Sequence, residues 1–353
     1  MIWTKRVVVA LAALLTHDAA AAPQMGGGFS ARGSDFLRFA CSQLVIERAD
    51  PIVNPGIAGS PHLHQIVGDG PRDDRPAQDV YMHLALRMVE DFSPTTAGQL
   101  NGTLMEQDGG ITVYYMRPFS GRNMKTTAFK PGFRMISGDP SLRARAPGPL
   151  VNCHRCLGVN DRTMGGAGAP CDRSDTAELP TKPCPGGIRV TVIFPSCWDG
   201  KSLDSPDHRS HVAYAPGNQA LAGDQCPSTH PVRIPQVMYE VMYDTSGPFS
   251  NPEYYRNGKQ PLVYSFGDTV GYGAHGDYLF GWEGDSLQRA MDALGTNCFS
   301  ETCPVLKLQT PEAAIACTKS QQAREDVSTT TCSSSLIFSL RLVTRLMADT
   351  CDD

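Results

Sequence analysis

Apolar and β-branched residues recur along the chain in short runs that are separated by turn-forming residues. In the run Ile188–Phe194, arginine and threonine alternate with apolar residues, so one face is polar and the other is apolar. A period of two is typical of a β-strand with one buried face. Similar runs predict further strands at Phe36–Phe39, Gln43–Ile46, Ile111–Met116, Val237–Tyr243 and Leu262–Phe266.

Helical periodicity is confined to short segments. In Asp285–Leu294, apolar residues fall at helical spacing, and Gly295 follows as a stop signal. Tyr81–Glu90 is a second segment that predicts a helix. Because 34 glycines and 27 prolines break helices and build turns, the balance favours strands. We therefore predict a mostly β protein, a single β-sandwich or jelly-roll-like domain with long disulfide-bonded loops and few short helices.

The two ends of the chain differ in composition from the middle. Residues 1–22 combine basic Lys5 and Arg6 with a short apolar run and small residues, which is the pattern of a secretory signal peptide. Residues 23–34 are predicted to form a glycine-rich linker and 35–317 a single domain. For residues 318–353 we predict a poorly ordered tail with a short amphipathic helix. The expected localisation is secreted and extracellular.

The charge balance is acidic, with 31 Lys and Arg residues against 36 Asp and Glu residues. Nonspecific nucleic-acid binding requires a basic surface, so we expect no nucleic-acid partner. No apolar run reaches the roughly 20 residues that span a bilayer, so no membrane span is predicted. The sequence leaves the oligomeric state and any cofactor open.

All 12 cysteines follow residue 22. An even number of cysteines in a secreted chain predicts disulfides, up to six here, although their pairing cannot be deduced from spacing. Cys153 and Cys156 have the spacing of half a zinc site, but no second pair shares it. Separately, Asn101-Gly102-Thr103 is an acceptor sequence for N-glycosylation and indicates an exposed loop.

A series of ordered motifs carries a family resemblance. The motifs are Asp50–Gly56, Pro61–Gly68, Pro131–Asp139, Cys184–Arg189, Phe194–Gly200, Ser205–His208, His211–Tyr214, Cys226–Pro231, Gly271–Asp277 and Gly281-Trp282. Through them the chain resembles, over residues 35–317, the fungal secreted family of domains of unknown function called DUF1996. The resemblance implies a secreted fungal protein, of a kind sometimes found beside cell-wall-binding modules. It implies no established reaction.

Histidine is concentrated in these motifs, which contain six of the nine histidines. His62 and His64 are one residue apart, so on an extended chain both side chains share one face. Such a pair suits a metal ion, proton transfer, or hydrogen bonds that hold a loop, and spacing alone does not decide among them. His275 and Asp277 repeat the spacing, and a carboxylate near an imidazole raises its basicity and fixes its tautomer. The alternative is a turn in which Asp277 caps backbone groups.

These residues favour a carbohydrate-active enzyme that acts on cell-wall polysaccharide by His/Asp acid–base chemistry, either a polysaccharide lyase or a glycoside hydrolase. The candidate catalytic residues are His62, His64, His211, His275 and Asp277. The candidate glycan-binding residues are Trp198, Asp207, His208, Tyr214, His230, Tyr272 and Trp282.

Other interpretations of the same residues stay open. A noncatalytic protein that binds cell-wall glycan would use the same motifs as a rigid loop scaffold. A metal-binding secreted protein would use His62, His64 and His275. For Asp207, His208 and His211, the alternative is a hydrogen-bonded loop network around Trp198.

Overall fold

The structure is a computed structural model that describes residues 36–55, 57, 59–60, 62–69, 78–83, 86–89, 102–105, 107, 110–117, 125–161, 170–216, 225–246, 250–258, 260–295, 298, 303–306, 312, 316, 318 and 320–321. The predicted signal peptide, the linker, Asn101 and nearly all of the predicted tail lie outside these residues. The described chain is mostly β, as the sequence predicted, and its strands pair antiparallel.

One five-stranded sheet, here called sheet I, contains most of the strands that alternation predicted. In spatial order its strands are β1 (Phe36–Cys41), β7 (Ile111–Met116), β14 (Gln236–Tyr243), β10 (Gly187–Ile193) and β9 (Asn152–Leu157). Alternating apolar residues in β10 and β14 place one face of this sheet in the core. The predictions for β1, β7, β10 and β14 are confirmed to within two residues.

The second five-stranded sheet, sheet II, lies against sheet I. In spatial order its strands are β2 (Gln43–Glu47), β3 (His64–Asp69), β4 (Gln78–His83), β16 (His275–Leu279) and β8 (Arg134–Gly138). Strand β2 was predicted, whereas β3, β8 and β16 were not.

The helix predicted over Tyr81–Glu90 is wrong. Strand β4 occupies its first residues, and strand β5 (Leu86–Val89) occupies its last. Strand β4 is hydrogen-bonded on both sides, to β3 and to β16, so its backbone donors and acceptors are used by the sheet. Pairing with distant strands therefore outweighs the helical spacing of a few apolar residues.

Smaller elements surround the two sheets. Strand β5 joins β6 (Gly102–Leu104) and β15 (Leu262–Tyr264), and a further small sheet contains β11 (Cys197–Trp198), β12 (Val212–Ala213) and β13 (Val232–Arg233). The predicted helix is confirmed as α1 (Ser286–Ala293). A 3₁₀ segment within Pro252–Gly258 is interrupted by non-helical backbone at Tyr255, Arg256 and Asn257. Among the described residues, no helix has the length and apolar character to cross a membrane.

The core lies between the two sheets and sets the direction of each side chain on β16. A Cβ atom added to Gly276 would lie 3.2 to 3.3 Å from side-chain atoms of Phe194, Tyr239 and Val192, so Gly276 faces sheet I. The ring of Tyr278 also contacts Phe194, with centroids 6.4 Å apart. Since successive residues of a strand face opposite sides, His275 and Asp277 lie on the outer face of sheet II.

The outer face of sheet I carries a different polar feature, a buried ion network. Asp175 accepts hydrogen bonds from Nε and Nη2 of Arg155 at 2.5 and 3.0 Å. Nη2 of Arg189 lies 3.6 Å from the same carboxylate, and its Nη1 lies 3.5 Å from Glu240. The carboxylates of Asp175 and Glu240 therefore balance the charges of Arg155 and Arg189.

Disulfides hold the long loops, as predicted. Within the described residues the bonds are Cys153–Cys171, Cys156–Cys184, Cys197–Cys226 and Cys298–Cys303. Cys153 and Cys156 bond to different distant cysteines, so this pair is not half of a zinc site.

Candidate functional site

Strands β3 and β16 bring three residues of the site together on the outer face of sheet II, namely His64, His275 and Asp277. Both strands pair with β4, and the backbone positions of Gln65 and Gly276 lie opposite the same residue, Met82. This register places His64 on β3 level with His275 on β16. Asp277 follows on the same face of β16.

The fourth residue, Asp50, comes from the loop that precedes β3. Its Oδ1 accepts backbone hydrogen bonds from Ile52 at 2.9 Å and Val53 at 2.8 Å. These bonds close a turn at the start of the loop and orient Oδ2 toward the sheet. Oδ2 lies 3.8 Å from Nε2 of His64, and both side chains are almost fully buried.

The resulting cluster has the donor spacing of a metal-binding group. Asp50, His64 and Asp277 each offer one ligand atom, and these atoms all lie within 4.8 Å of one another. The residues are 3 %, 0 % and 0 % exposed, respectively. Two carboxylates and an imidazole thus meet in a region shielded from water.

Two further histidines adjoin these ligand atoms. Nε2 of His62 lies 3.2 Å from Nε2 of His275, and the rings of His62 and His64 stack with centroids 4.9 Å apart. Phe266 packs edge-on against His62 at 5.5 Å and against His275 at 5.1 Å. We call His62, His64 and His275 the histidine cluster.

Backbone carbonyls determine which ring nitrogen carries the proton. Nδ1 of His275 lies 2.7 Å from the carbonyl oxygen of Gly273, and Nδ1 of His64 lies 3.2 Å from that of His62. A carbonyl oxygen only accepts, so each Nδ1 donates an N–H and each Nε2 keeps its lone pair. Between His62 and His275, the Nε2–H of His62 is therefore the donor.

The turn before β16 is held by Asp268. Its two carboxylate oxygens accept the backbone N–H groups of Gly273 at 2.7 Å and Val270 at 2.8 Å. A Cβ atom on residue 273 would lie 2.7 Å from the Phe266 ring, closer than real Cβ atoms approach such neighbours. Glycine at this position lets the carbonyl of Gly273 reach His275 beneath the Phe266 ring.

Burial keeps the imidazoles neutral. Desolvation lowers the pKa of His62 to about 4, against smaller opposing effects such as the charge of Asp50. Desolvation also lowers the pKa values of His64 and His275 well below the usual range, and the neighbouring His62 contributes to both. For Asp277, desolvation followed by the charge of Asp50 raises the pKa well above its ordinary value.

His211, the remaining candidate catalytic residue, is not brought to this cluster. It contacts the carbonyl of Arg134 through Nε2 at 2.9 Å and the Ser205 hydroxyl through Nδ1 at 2.8 Å. Arg134 pairs with Leu279, four residues along β16 from His275. At roughly 3.3 Å per residue, this places the His211 contact about 13 Å from His275 along the strand.

The neighbouring candidates Asp207, His208 and His230 hold loops in place. Asp207 accepts bonds from the backbone of Arg209 and Ser210 at 3.1 and 2.9 Å. Nδ1 of His208 lies 2.7 Å from Asp204, and Nε2 of His230 contacts the carbonyl of Ser210 at 3.0 Å.

The candidate aromatic residues do not form a common platform. Trp198 is buried and donates to the carbonyl of Ser202 at 2.6 Å. Tyr214 donates to the carbonyl of Ile193 at 2.7 Å, and Tyr272 bonds to Glu178. Trp282 packs edge-on against two rings, Phe39 at 5.7 Å and Tyr115 at 5.2 Å.

Two neighbours of the cluster were not selected from the sequence, Asp50 and Phe266. Asp50 opens the motif that leads to His62 and His64, so motif order was an available signal for it. For Phe266, nothing in the spacing indicates a contact with residues of another strand.

Comparison with known proteins gives a family and no closer relative. A family model described as "Domain of unknown function (DUF1996)" matches residues 50–282, which include Asp50, the histidine cluster and Asp277. No curated protein and no solved structure matches the chain.

Proposed function

The chain belongs to the DUF1996 family, which is defined by a domain of unknown function, and we propose that its buried Asp/His cluster is a centre for a divalent transition-metal ion. The observation that carries this proposal is the approach of the ligand atoms of Asp50, His64 and Asp277 to within 4.8 Å of one another in a buried region. Metal bonds of about 2.1 Å place neighbouring ligand atoms roughly 3 to 3.4 Å apart. Small side-chain rotations would close the group around an ion.

The polarity of the facing atoms supports a cation at this position. Nε2 of His64 presents a lone pair, and 3.8 Å away Oδ2 of Asp50 presents another. Asp277 adds a second carboxylate to the same buried volume. Burying carboxylates costs several kcal/mol per ion unless a counter-charge is present. A divalent cation would supply that charge, and the competing solutions are a proton on Asp277 and the charges of Arg48 and Arg209 near the cluster.

The donor set also indicates the class of metal. Imidazole nitrogen suits Zn²⁺ and Fe²⁺, and carboxylate oxygen suits Mn²⁺, whereas Ca²⁺ takes six to eight oxygen ligands. The Nδ1–H group of His64 bonds to a backbone carbonyl, as the second nitrogen of a metal-binding histidine usually does. We therefore expect Zn²⁺, Mn²⁺ or Fe²⁺ at this centre.

Metal titration of the purified, chelator-stripped protein tests the proposal. We expect one Zn²⁺ or Mn²⁺ ion per chain by calorimetry and elemental analysis, with Co²⁺ giving ligand-field absorption as a spectroscopic substitute. Asp277→Asn and His64→Ala should abolish this binding, whereas His230→Ala, at the surface, should retain it. Circular dichroism establishes that each variant is folded. Stoichiometric binding in both folded site variants, or no binding by the unaltered protein, would overturn the proposal.

We further propose that the protein is a secreted carbohydrate-active enzyme that works on cell-wall polysaccharide, as a lyase or a hydrolase. Support comes from the convergence of His62, His64, His275 and Asp277, and from His62, the most exposed of them at 9 %. The four disulfides of the described residues are typical of extracellular proteins.

Cleavage of a polysaccharide panel tests this second proposal. New reducing ends would indicate hydrolysis, and unsaturated products absorbing in the ultraviolet would indicate a lyase. His64→Ala and His275→Ala should lose cleavage while remaining folded. Binding without products, insensitive to both substitutions, would instead establish the noncatalytic glycan-binding alternative.

A further inference from the structure

Backbone hydrogen bonds connect the loop that contains Arg209 to β8, and through β8 to Asp277 on β16. The N–H of Ile136 on β8 donates to the carbonyl of His208 at 2.9 Å, and Ile136 pairs with Asp277. His208 adopts a left-handed conformation with φ of 54°, which turns the chain, and Asp207 accepts the N–H of Arg209 at 3.1 Å. The loop thus fixes Arg209 at the edge of sheet II, next to the end strand β8.

The side chain of Arg209 is half-buried but has no fixed acceptor. Its Nε is buried without a hydrogen-bond partner, and within the described residues its guanidinium forms no ion pair. Arg155, by contrast, is held by two hydrogen bonds to Asp175. An arginine has five N–H donors, and a buried donor without an acceptor destabilises a protein. Arg209 is therefore suited to accept a ligand rather than to hold the fold.

The positive charge of Arg209 affects the pKa values of two residues in the site, Asp277 and His275. It lowers the pKa of Asp277, against the larger opposing effect of desolvation, and it contributes to the lowered pKa of His275. A second arginine, Arg143, lies over the Phe266 ring at 5.8 Å. Nε of Arg143 lies 3.9 Å from the buried carboxylate of Asp268, so Arg143 already has a counter-charge and Arg209 is the arginine left to bind an anionic ligand.

We propose that Arg209 binds an oxyanion of the ligand at this site, and that the substrate class is therefore an acidic polysaccharide that contains uronic-acid units. The planar guanidinium matches a carboxylate with two parallel hydrogen bonds. This proposal rests on the carbohydrate activity and the metal centre proposed above. Free inorganic phosphate presents similar oxygens to a guanidinium, so the test separates the two sources.

Calorimetry on the metal-loaded protein tests the role of Arg209. The probes are trigalacturonate, its methyl ester, in which the carboxylate charge is removed, and inorganic phosphate. We expect trigalacturonate to bind at least about tenfold more tightly than its ester, and phosphate to bind weakly. Arg209→Gln should bind trigalacturonate about as weakly as the unaltered protein binds the ester. Arg209→Lys should retain part of the affinity for trigalacturonate. Arg256 forms an exposed ion pair with Glu253, and the control variant Arg256→Gln should retain the full affinity.

Equal binding of trigalacturonate and its ester would overturn the proposal, as would unchanged affinity in folded Arg209→Gln. Phosphate binding that depends on Arg209 without trigalacturonate binding would overturn it too. Metal content measured on the same samples separates this proposal from the metal centre. Metal-loaded protein that does not bind uronate refutes only the role of Arg209. Protein that takes up no metal but binds uronate through Arg209 supports the role of Arg209 and refutes the metal centre.

Discussion

Stability should depend on pH through His154, a histidine far along the chain from the cluster. His154 lies on β9, is 1 % exposed, and places Nε2 2.6 Å from the hydroxyl of Tyr264. Burial lowers its pKa from 6.5 to about 4, although a hydrogen bond with the backbone of Thr176 and the charges of Asp268 and Asp175 oppose the shift. The folded protein therefore holds this imidazole neutral at a pH where the unfolded chain protonates it.

The sign and size of the effect follow from linkage. A histidine with a lowered pKa in the folded state stabilises fully above pH 6.5 and loses that contribution as the pH falls toward 4. At pH 5 the unfolded chain holds nearly one proton more than the folded protein at this site. The corresponding loss in the free energy of unfolding between pH 7 and pH 5 is about 2 kcal/mol.

Urea-induced unfolding at pH 7 and pH 5 measures this loss. Other buried histidines titrate as well, so the informative quantity is the difference between the unaltered protein and His154→Gln. The pH dependence of the variant should be smaller by about 2 kcal/mol. Tyr264→Phe should keep the full dependence, because burial rather than the hydroxyl is the main cause of the shift. An identical loss of stability on acidification in His154→Gln would refute the argument.

Three further changes probe the fold. Asp175→Asn should lower the free energy of unfolding by about 3 kcal/mol in chemical unfolding, because it removes the buried counter-charge of two arginines. The control variant Asp285→Asn, at the exposed start of α1, should leave the melting temperature unchanged. Gly276→Ala should cost about 1–3 kcal/mol, since the new methyl group crowds the inter-sheet core, and an unchanged melting temperature would contradict this packing. Replacing Cys197 and Cys226 together by alanine should cost about 3–4 kcal/mol through the freed loop, and equal stability with and without the bond would disprove the loop-entropy reasoning.

The sequence predicted the strands whose pattern reflects a simple two-sided environment. Strand β7 was predicted at its observed limits, and β10 to within one residue, because apolar residues dominate one face. Strands β3 and β16 were missed because both faces are buried and one of them carries His64, His275 and Asp277. Polar residues on a buried face destroy the alternation that identifies a strand.

The sequence predicted the part of the candidate site that depends on local spacing, and not the part that depends on the order of the strands. One-residue spacing correctly suggested that His275 and Asp277 share a face, and this holds for any strand. The meeting of His62 with His275 required the order of strands in sheet II, which local spacing does not contain. Asp50 required the course of a loop, and the position of His211 along β8 required the pairing register.

The contact between His62 and His275 joins residues 213 positions apart in the chain. An emerging polypeptide therefore carries the first two histidines long before their partners on β16 are synthesised. Contacts of such separation form only after much chain entropy has been lost, so the centre is completed only when β16 pairs with β4 in sheet II. An ion bound there would bind the native state and not its precursors, and would draw the folding equilibrium toward the closed sandwich in proportion to its concentration. Metal supply during synthesis would then influence how much of the newly made chain reaches the native state.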